Sequence, residues 1–193
     1  RDLDADVSAV IDAENAEARR DAAARLGADP HSGLGEAAAM VEGAFASALR
    51  RWFGVLFWFL LLGAVGAVLY RIAALAAEGE FADSLPESTR EGARSFFALL
   101  NWPVAQAMTL SLALVGNFDT VLGAWRDAGG ASMRTDQAFL GASARASVRC
   151  EIAEETREFI EEGATPGNAW VQLGESPELR DAMSLIWRIL LLW

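Results

Sequence analysis

Residues Trp52 to Tyr70 read WFGVLFWFLLLGAVGAVLY, nineteen consecutive positions without a charged side chain and without Asn, Gln, Ser or Thr. At about 1.5 Å per residue, a helix of this length covers roughly the 30 Å hydrocarbon thickness of a bilayer. Arg50, Arg51 and Arg71 bracket the run, where lipid head groups would lie. A buried helix of a soluble protein this size is rarely apolar on every side. The pattern predicts a transmembrane helix over residues 52–71.

A second apolar stretch covers residues 96–118 and reads FFALLNWPVAQAMTLSLALVGNF. It is long enough to cross a bilayer but is interrupted by Asn101, Pro103 and Gln106. Because a missing amide hydrogen costs least in the first helical turn, we expect Pro103 at the membrane interface or in that turn. The pattern predicts a second transmembrane helix over 96–118, joined to the first by a polar, carboxylate-rich loop over 72–95.

The remaining segments predict helices outside the hydrocarbon. Residues 1–51 should form amphipathic helices leading to the membrane, one over 2–26 and one beginning near Leu34. Residues 119–182 form a polar helical region, and residues 183–193 an apolar helix at or entering the membrane, too short to cross alone. The predicted fold class is all-α, a multi-pass helical membrane protein with amphipathic cytoplasmic or interfacial helices. The distribution of arginines near the spans predicts that the N-terminal helices and the region 119–180 lie in the cytoplasm.

Composition excludes several function classes. The net charge of −11 argues against nucleic acid as a partner. All 16 basic residues are Arg, so the chain has no lysine for a Walker A loop or a Schiff base. One His and one Cys are too few for a zinc site, and we predict neither a metal nor a cofactor. Because the first residue is Arg1 and no apolar signal region follows it, we expect further sequence upstream.

Six polar residues in or beside the apolar stretches are candidates for a ligand site or a polar cavity. Glu42 precedes the first predicted span and either faces such a cavity or pairs with an arginine at the interface. Arg71 either extends to the head groups or pairs with Glu42, Asp119 or a ligand. The full set is Glu42, Arg71, Asn101, Gln106, Asn117 and Asp119.

Three further features concern helix packing, a charge near the membrane and a possible metal site. Gly63 and Ala67 form a small-xxx-small pair, which predicts close helix packing in the first span. Arg188 would be a charge within the membrane if its apolar segment enters the bilayer. The carboxylates of residues 154–162 either form a solvated helix face or hold Mg²⁺ or Ca²⁺, and the solvated face is the simpler interpretation.

The chain resembles a known family in its central part. The string VEGAFASALRRWFGVLFWFLLLGAVGAVLYRI (Val41 to Ile72), followed by NWPVAQAMTLSLALVGNF (Asn101 to Phe118), resembles the AmpE branch of the AmpE/CobD (CbiB) family of bacterial inner-membrane proteins. The resemblance implies a multi-pass helical protein of the inner membrane. The AmpE branch is described as a signalling modulator of β-lactamase induction, whereas the CobD branch forms an amide in cobalamin synthesis.

Two departures from the family pattern favour the AmpE branch. Gln106 stands where the family has an Arg, and Pro103 is one position early. The Asn-Thr-Leu-Asp sequence associated with the enzyme branch is also absent after Arg71. Loss of the guanidinium removes a bidentate clamp for an anion. We therefore expect a non-enzymatic signalling, regulatory or scaffold protein whose partners are the lipid bilayer and other membrane proteins. The alternatives are a CobD/CbiB-like membrane enzyme and an accessory subunit of a membrane complex.

Overall fold

The computed structural model describes residues 3–13, 15–28, 35–78, 86–132, 137–165, 167–168, 173 and 176–193. Over these residues the regular structure is helical throughout, which confirms the all-α prediction. We number the longer helices in chain order, and a π-helical turn (Leu49–Phe53) joins the third to the fourth. They are α1 (Leu3–Ile11), α2 (Ala16–Leu26), α3 (Glu36–Ala48), α4 (Gly54–Leu62), α5 (Ala64–Glu78), α6 (Glu87–Val115), α7 (Phe118–Asp127), α8 (Ala138–Glu161) and α9 (Pro177–Leu192).

One apolar core is shared by α3, α6, α8 and α9. Helices α3, α8 and α9 pack on one another, α6 packs on α8 and α9, and α1 and α2 pack together beside α3. The amphipathic helix predicted to begin near Leu34 corresponds to α3, whose apolar residues Val41, Phe45 and Ala48 are all buried. The segment 183–193 belongs to α9, a helix that begins at Pro177. Leu185, Ile186 and Ile189 of this segment are fully buried in this core, whereas Trp187, Leu191 and Leu192 are exposed. Its predicted position at the membrane stays a prediction.

The predicted span over 52–71 is not one helix. Helix α4 ends at Leu62, Gly63 has φ +66° and ψ −153°, and α5 begins at Ala64 and packs back on α4. Gly54 lies so close to Tyr70 that an added Cβ would be 2.1 Å from the phenol ring. In a straight helix these two residues would be about 24 Å apart. The nineteen apolar residues therefore form a helical hairpin, whose backbone dihedrals at Gly63 are essentially restricted to glycine.

The predicted packing pair of Gly63 and Ala67 is wrong for the same reason. Gly63 lies outside both helices, at the exposed tip, and a Cβ there would meet nothing within 4 Å. Close approach is provided instead by Gly54 against Tyr70 and by Gly66, where a Cβ would be 2.1 Å from the carbonyl oxygen of Trp58. Small residues do bring helices together here, but across the hairpin.

Other boundaries also differ from the predictions. The expected helix over 2–26 is interrupted before Asn15, whose side chain caps α2 by accepting a 2.8 Å hydrogen bond from the Ala18 amide. The predicted loop over 72–95 is largely helical, because α5 continues to Glu78 and α6 already begins at Glu87; residues 79–85 lie outside the described part.

Pro103 lies in the interior of α6, well beyond the predicted first turn. A proline there removes one backbone hydrogen bond. The helix nevertheless continues through it, and the next two residues, Val104 and Ala105, are fully buried against neighbouring helices. Packing from several sides therefore holds α6 together at this point.

Within the described part of the chain, two helices are long and apolar enough to cross a membrane, Glu36–Leu62 and Glu87–Val115. The second includes most of the predicted span over 96–118, whereas the first ends at the hairpin tip. The tip itself, Phe59 to Val65, is exposed and wholly apolar. Leu60 and Leu61 each expose 63% of their surface and Val65 exposes 75%. These values mark the hairpin as a large uncovered apolar surface.

Candidate functional site

The predicted polar residues do not gather in one place. Asn101 on α6 is 2% exposed and accepts a 2.6 Å hydrogen bond from the Tyr70 phenol at the base of the hairpin. One edge of Asn101 borders a cavity of about 280 Å³ that Arg50, Glu78 and Arg94 also line. Arg50 and Glu78 form an ion pair there at 3.4 Å. Asn101 is thus a buried structural contact next to a small polar cleft.

Glu42 lies in a different part of the molecule, between α3 and α8. Its carboxylate accepts a hydrogen bond from the Arg145 guanidinium, and both side chains are partly buried. Gly141 on α8 leaves room for this carboxylate, since a Cβ there would be 2.6 Å from it. Glu42 thus pairs with Arg145, in place of Arg71, and it also lines a cavity of about 190 Å³.

Gln106 and Asn117 have structural roles around α7. The Gln106 amide donates a 2.7 Å hydrogen bond to the Gly130 carbonyl and accepts one of 2.9 Å from the Trp125 indole, so it holds the end of α7 against α6. Asn117 caps the start of α7 by accepting from the Thr120 amide at 3.0 Å. Both side chains therefore help to hold α7 in place.

Arg71 and Asp119 lie exposed on α5 and α7 respectively. With Glu42, Asn101 and Asn117 they make up the polar set expected to surround an enzyme cavity. The described structure distributes those five residues over separate contacts and surfaces. No common pocket among the described residues contains them.

Two of the three arginines that bracket the apolar run, Arg50 and Arg51, bind protein carboxylates. Arg51 forms a 2.7 Å ion pair with Asp6 of α1, which is 3% exposed, and Arg50 pairs with Glu78 as described above. The π turn that carries both arginines thereby connects α1 and α5 to the start of α4. Arg71 is the member of the bracket that is exposed.

A more concentrated polar site lies between α8 and α9. It is a pocket of about 400 Å³ in which Arg188 forms a 2.9 Å ion pair with Glu151. Arg188, the predicted membrane charge if its segment enters a bilayer, thus has a carboxylate partner in a polar pocket. The complete lining is Glu151, Glu154, Glu155, Glu158, Arg180, Asp181, Ser184 and Arg188.

Asp181 is the unusual member of this pocket, which we call the acidic pocket. It is 7% exposed, and its Oδ2 atom is buried without a hydrogen-bond partner. A buried acceptor left unpaired costs about 1–3 kcal/mol. Burial, and then the negative charge of Glu155, raises the pKa of Asp181 to about 6. Burial also raises the pKa of Glu151, opposed by Arg188.

Sequence reasoning missed Asp181. It stands next to Arg180 in a polar stretch, which is typical of a solvated side chain. The only available indication was its position in α9, where it shares the buried face of Leu185 at the i, i+4 spacing. Among the described residues, no group of three or more His, Cys, Asp or Glu side chains is arranged to hold a metal ion.

No family model, no curated protein and no solved structure matches this chain.

Proposed function

We propose that the protein is inserted in a bacterial inner membrane through the α4–α5 hairpin and serves there as a regulatory or scaffold protein of the AmpE kind. The observation that carries this proposal is the apolar hairpin tip, Phe59 to Val65, which protrudes without any protein cover among the described residues. In water such a surface would be a site of aggregation or association, whereas hydrocarbon covers it at no cost.

The dimensions of the hairpin suit one leaflet of a bilayer. Helix α4 has 9 residues, which is about 14 Å of helix, and the hydrocarbon core is about 30 Å thick. The nearest charge after the tip is the exposed Arg71, eight residues beyond Gly63 and therefore about 12 Å along α5. That position fits the lipid phosphates when the tip is near the bilayer midplane. A multi-pass arrangement remains a prediction. In such an arrangement, α6 would be the helix that crosses the membrane.

The dispersal of the polar candidates supports a scaffold over an enzyme. Amide formation needs reacting groups held together within about 3–3.5 Å. Glu42, Asn101 and Asn117 are instead engaged in separate structural contacts. The resemblance to AmpE and the neutral Gln106 in place of an arginine point in the same direction.

Membrane insertion is tested by alkaline carbonate extraction of membranes from cells that express the full chain. We expect the wild type to stay in the membrane pellet and the variant Leu61→Lys/Leu62→Lys to shift to the supernatant. The matched control is Ile160→Lys, which places a charge at a 42% exposed apolar site on α8, a helix that packs on neither α4 nor α5. Extraction of the wild type, or equal retention of the tip variant, would contradict insertion by the hairpin.

The regulatory role is tested separately in a host with an inducible chromosomal β-lactamase and a deletion of its AmpE-like gene. We expect the full-length gene to restore the host's induction response, and the tip variant to restore less. Restoration of cobalamin synthesis in a strain that lacks the amide-forming enzyme would instead favour the CobD-like alternative.

A further inference from the structure

We propose that the acidic pocket between α8 and α9 binds a small organic polycation, a linear di- or polyamine. Asp181 lines this pocket, and its Oδ2 atom is buried without a hydrogen-bond donor. The group that completes such a site must donate hydrogen bonds and carry positive charge, because it would lie among several carboxylates. An alkylammonium group meets both requirements.

The charge of the lining favours a cation over an anion. Five carboxylates face the pocket against two guanidinium groups, Arg180 and Arg188. The Arg188 guanidinium is already engaged with Glu151 at 2.9 Å. An excess of three negative charges therefore remains, five carboxylates minus two guanidinium groups, when all of them are ionised.

The arrangement of those charges favours an elongated ligand. Glu151, Glu154, Glu155 and Glu158 recur at helical spacing along one face of α8, all lining the pocket. The row extends for about 10 Å along the helix axis. A linear amine, with ammonium groups separated by a few methylene groups, can lie along the row while one terminal ammonium reaches Asp181.

A single metal ion fits this pocket less well. Divalent cations need several oxygen ligands about 2.0–2.6 Å from one point, and the described residues provide no such group of three. The volume of about 400 Å³ lies in the range typical of pockets for small organic molecules, about 300–1,000 Å³. The apolar hairpin contributes no residue to the pocket, so binding here does not depend on the proposed membrane role.

Titration calorimetry of spermidine into the detergent-purified full chain tests the proposal. We expect saturable binding to the wild type at physiological salt, and affinity roughly tenfold lower in Asp181→Asn, because one charged hydrogen bond is lost. Glu155→Gln should weaken binding several-fold. The matched control is Glu162→Gln, which removes the same charge from an exposed position at the end of α8, outside the pocket. Its affinity should change less than twofold.

Further comparisons make the outcome decisive. Affinity should fall as the pH is lowered through about 6, where Asp181 takes up a proton. Absence of saturable spermidine binding to the wild type would overturn the proposal. Equal weakening in all three variants would show a diffuse ion atmosphere, and tighter saturable binding of Mg²⁺ would show a metal site; either result would also overturn it. If Asp181→Asn does not fold, the comparison of Glu155→Gln with Glu162→Gln decides.

Discussion

The phenol of Tyr70 donates a 2.6 Å hydrogen bond to the side-chain oxygen of Asn101, and both side chains are buried. This contact joins α5 to α6 at the base of the hairpin, where the Tyr70 ring also lies against the ring of Phe97 at a centroid distance of 5.4 Å. The Trp58 indole adds a 3.2 Å hydrogen bond from α4 to the Leu100 carbonyl. Polar contacts at its base therefore connect both arms of the hairpin to α6.

We predict that Tyr70→Phe lowers the free energy of unfolding by about 1–2 kcal/mol, because the buried Asn101 oxygen loses its donor. Thermal or denaturant unfolding of the detergent-purified protein measures the change. The double variant with Asn101→Ala should show that the two effects are not additive. Additive effects would mean that the two side chains do not stabilise the fold through one another.

Gly54→Ala should destabilise the protein by about 1–3 kcal/mol, because its Cβ would overlap the Tyr70 ring and force the two arms apart. The control is Gly123→Ala in α7, where a Cβ meets nothing within 4 Å. That change should stabilise the helix by about 0.5–1 kcal/mol. Unfolding midpoints compare the two, and equal midpoints would contradict the close contact between Gly54 and Tyr70.

A hairpin and a straight span place their flanking segments differently. We predict that single cysteines introduced at the exposed residues Glu36 and Ser88, in a Cys150→Ser background, lie on the same face of the membrane. A membrane-impermeant maleimide added to intact cells should then treat both alike, and lysis should make both reactive. Labelling of one in intact cells and of the other only after lysis would support a straight crossing.

The partly buried pair of Arg51 and Asp6 should contribute to stability. We predict that Arg51→Gln lowers the free energy of unfolding by about 1–3 kcal/mol, since the Asp6 carboxylate loses a charge-assisted hydrogen bond. Arg157→Gln is the control, because its pair with Glu161 is exposed and such pairs contribute about 0–1 kcal/mol. Denaturant unfolding at low detergent concentration measures the loss of stability in each variant. Similar losses in both variants would contradict a larger contribution from the Arg51 pair.

The raised pKa of Asp181 predicts a pH dependence of stability. Its pKa is about 6 in the folded protein against 3.8 ordinarily, so the folded state keeps a proton that the unfolded state has lost. Stability relative to Asp181→Asn should therefore fall as the pH rises from about 4 to about 6, by up to about 3 kcal/mol, and stay level above. The groups that influence this carboxyl group are Glu151 and Glu155 on α8, and Glu178 and Arg180 on α9.

Unfolding of the wild type and of Asp181→Asn at pH 4, 5, 6 and 7 measures this difference. Comparing the two proteins at each pH cancels most of the other titrating groups. A constant difference across the range would contradict the raised pKa.

Helical character was predictable because apolar periodicity is a local property of the chain, as the buried stripe of Val41 and Phe45 on α3 illustrates. The reversal of the chain at Gly63 was not predictable, because glycine is also common within straight membrane helices. What selects the turn is contact between residues distant along the chain, such as Gly54 with Tyr70. Asp181 was missed for a similar reason: its burial depends on the approach of α8 to α9, which periodicity within one helix cannot reveal.

The uncharged run on both sides of Gly63 has a consequence for the depth of the membrane insertion that we propose. From Trp52 to Tyr70 no side chain carries a charge, so a straightened segment would be as soluble in hydrocarbon as the folded hairpin. The lipid does not discriminate between penetration of one leaflet and of two. That choice is made by the backbone dihedrals at Gly63 and by the close contact of Gly54 with Tyr70, which a straight helix would lose.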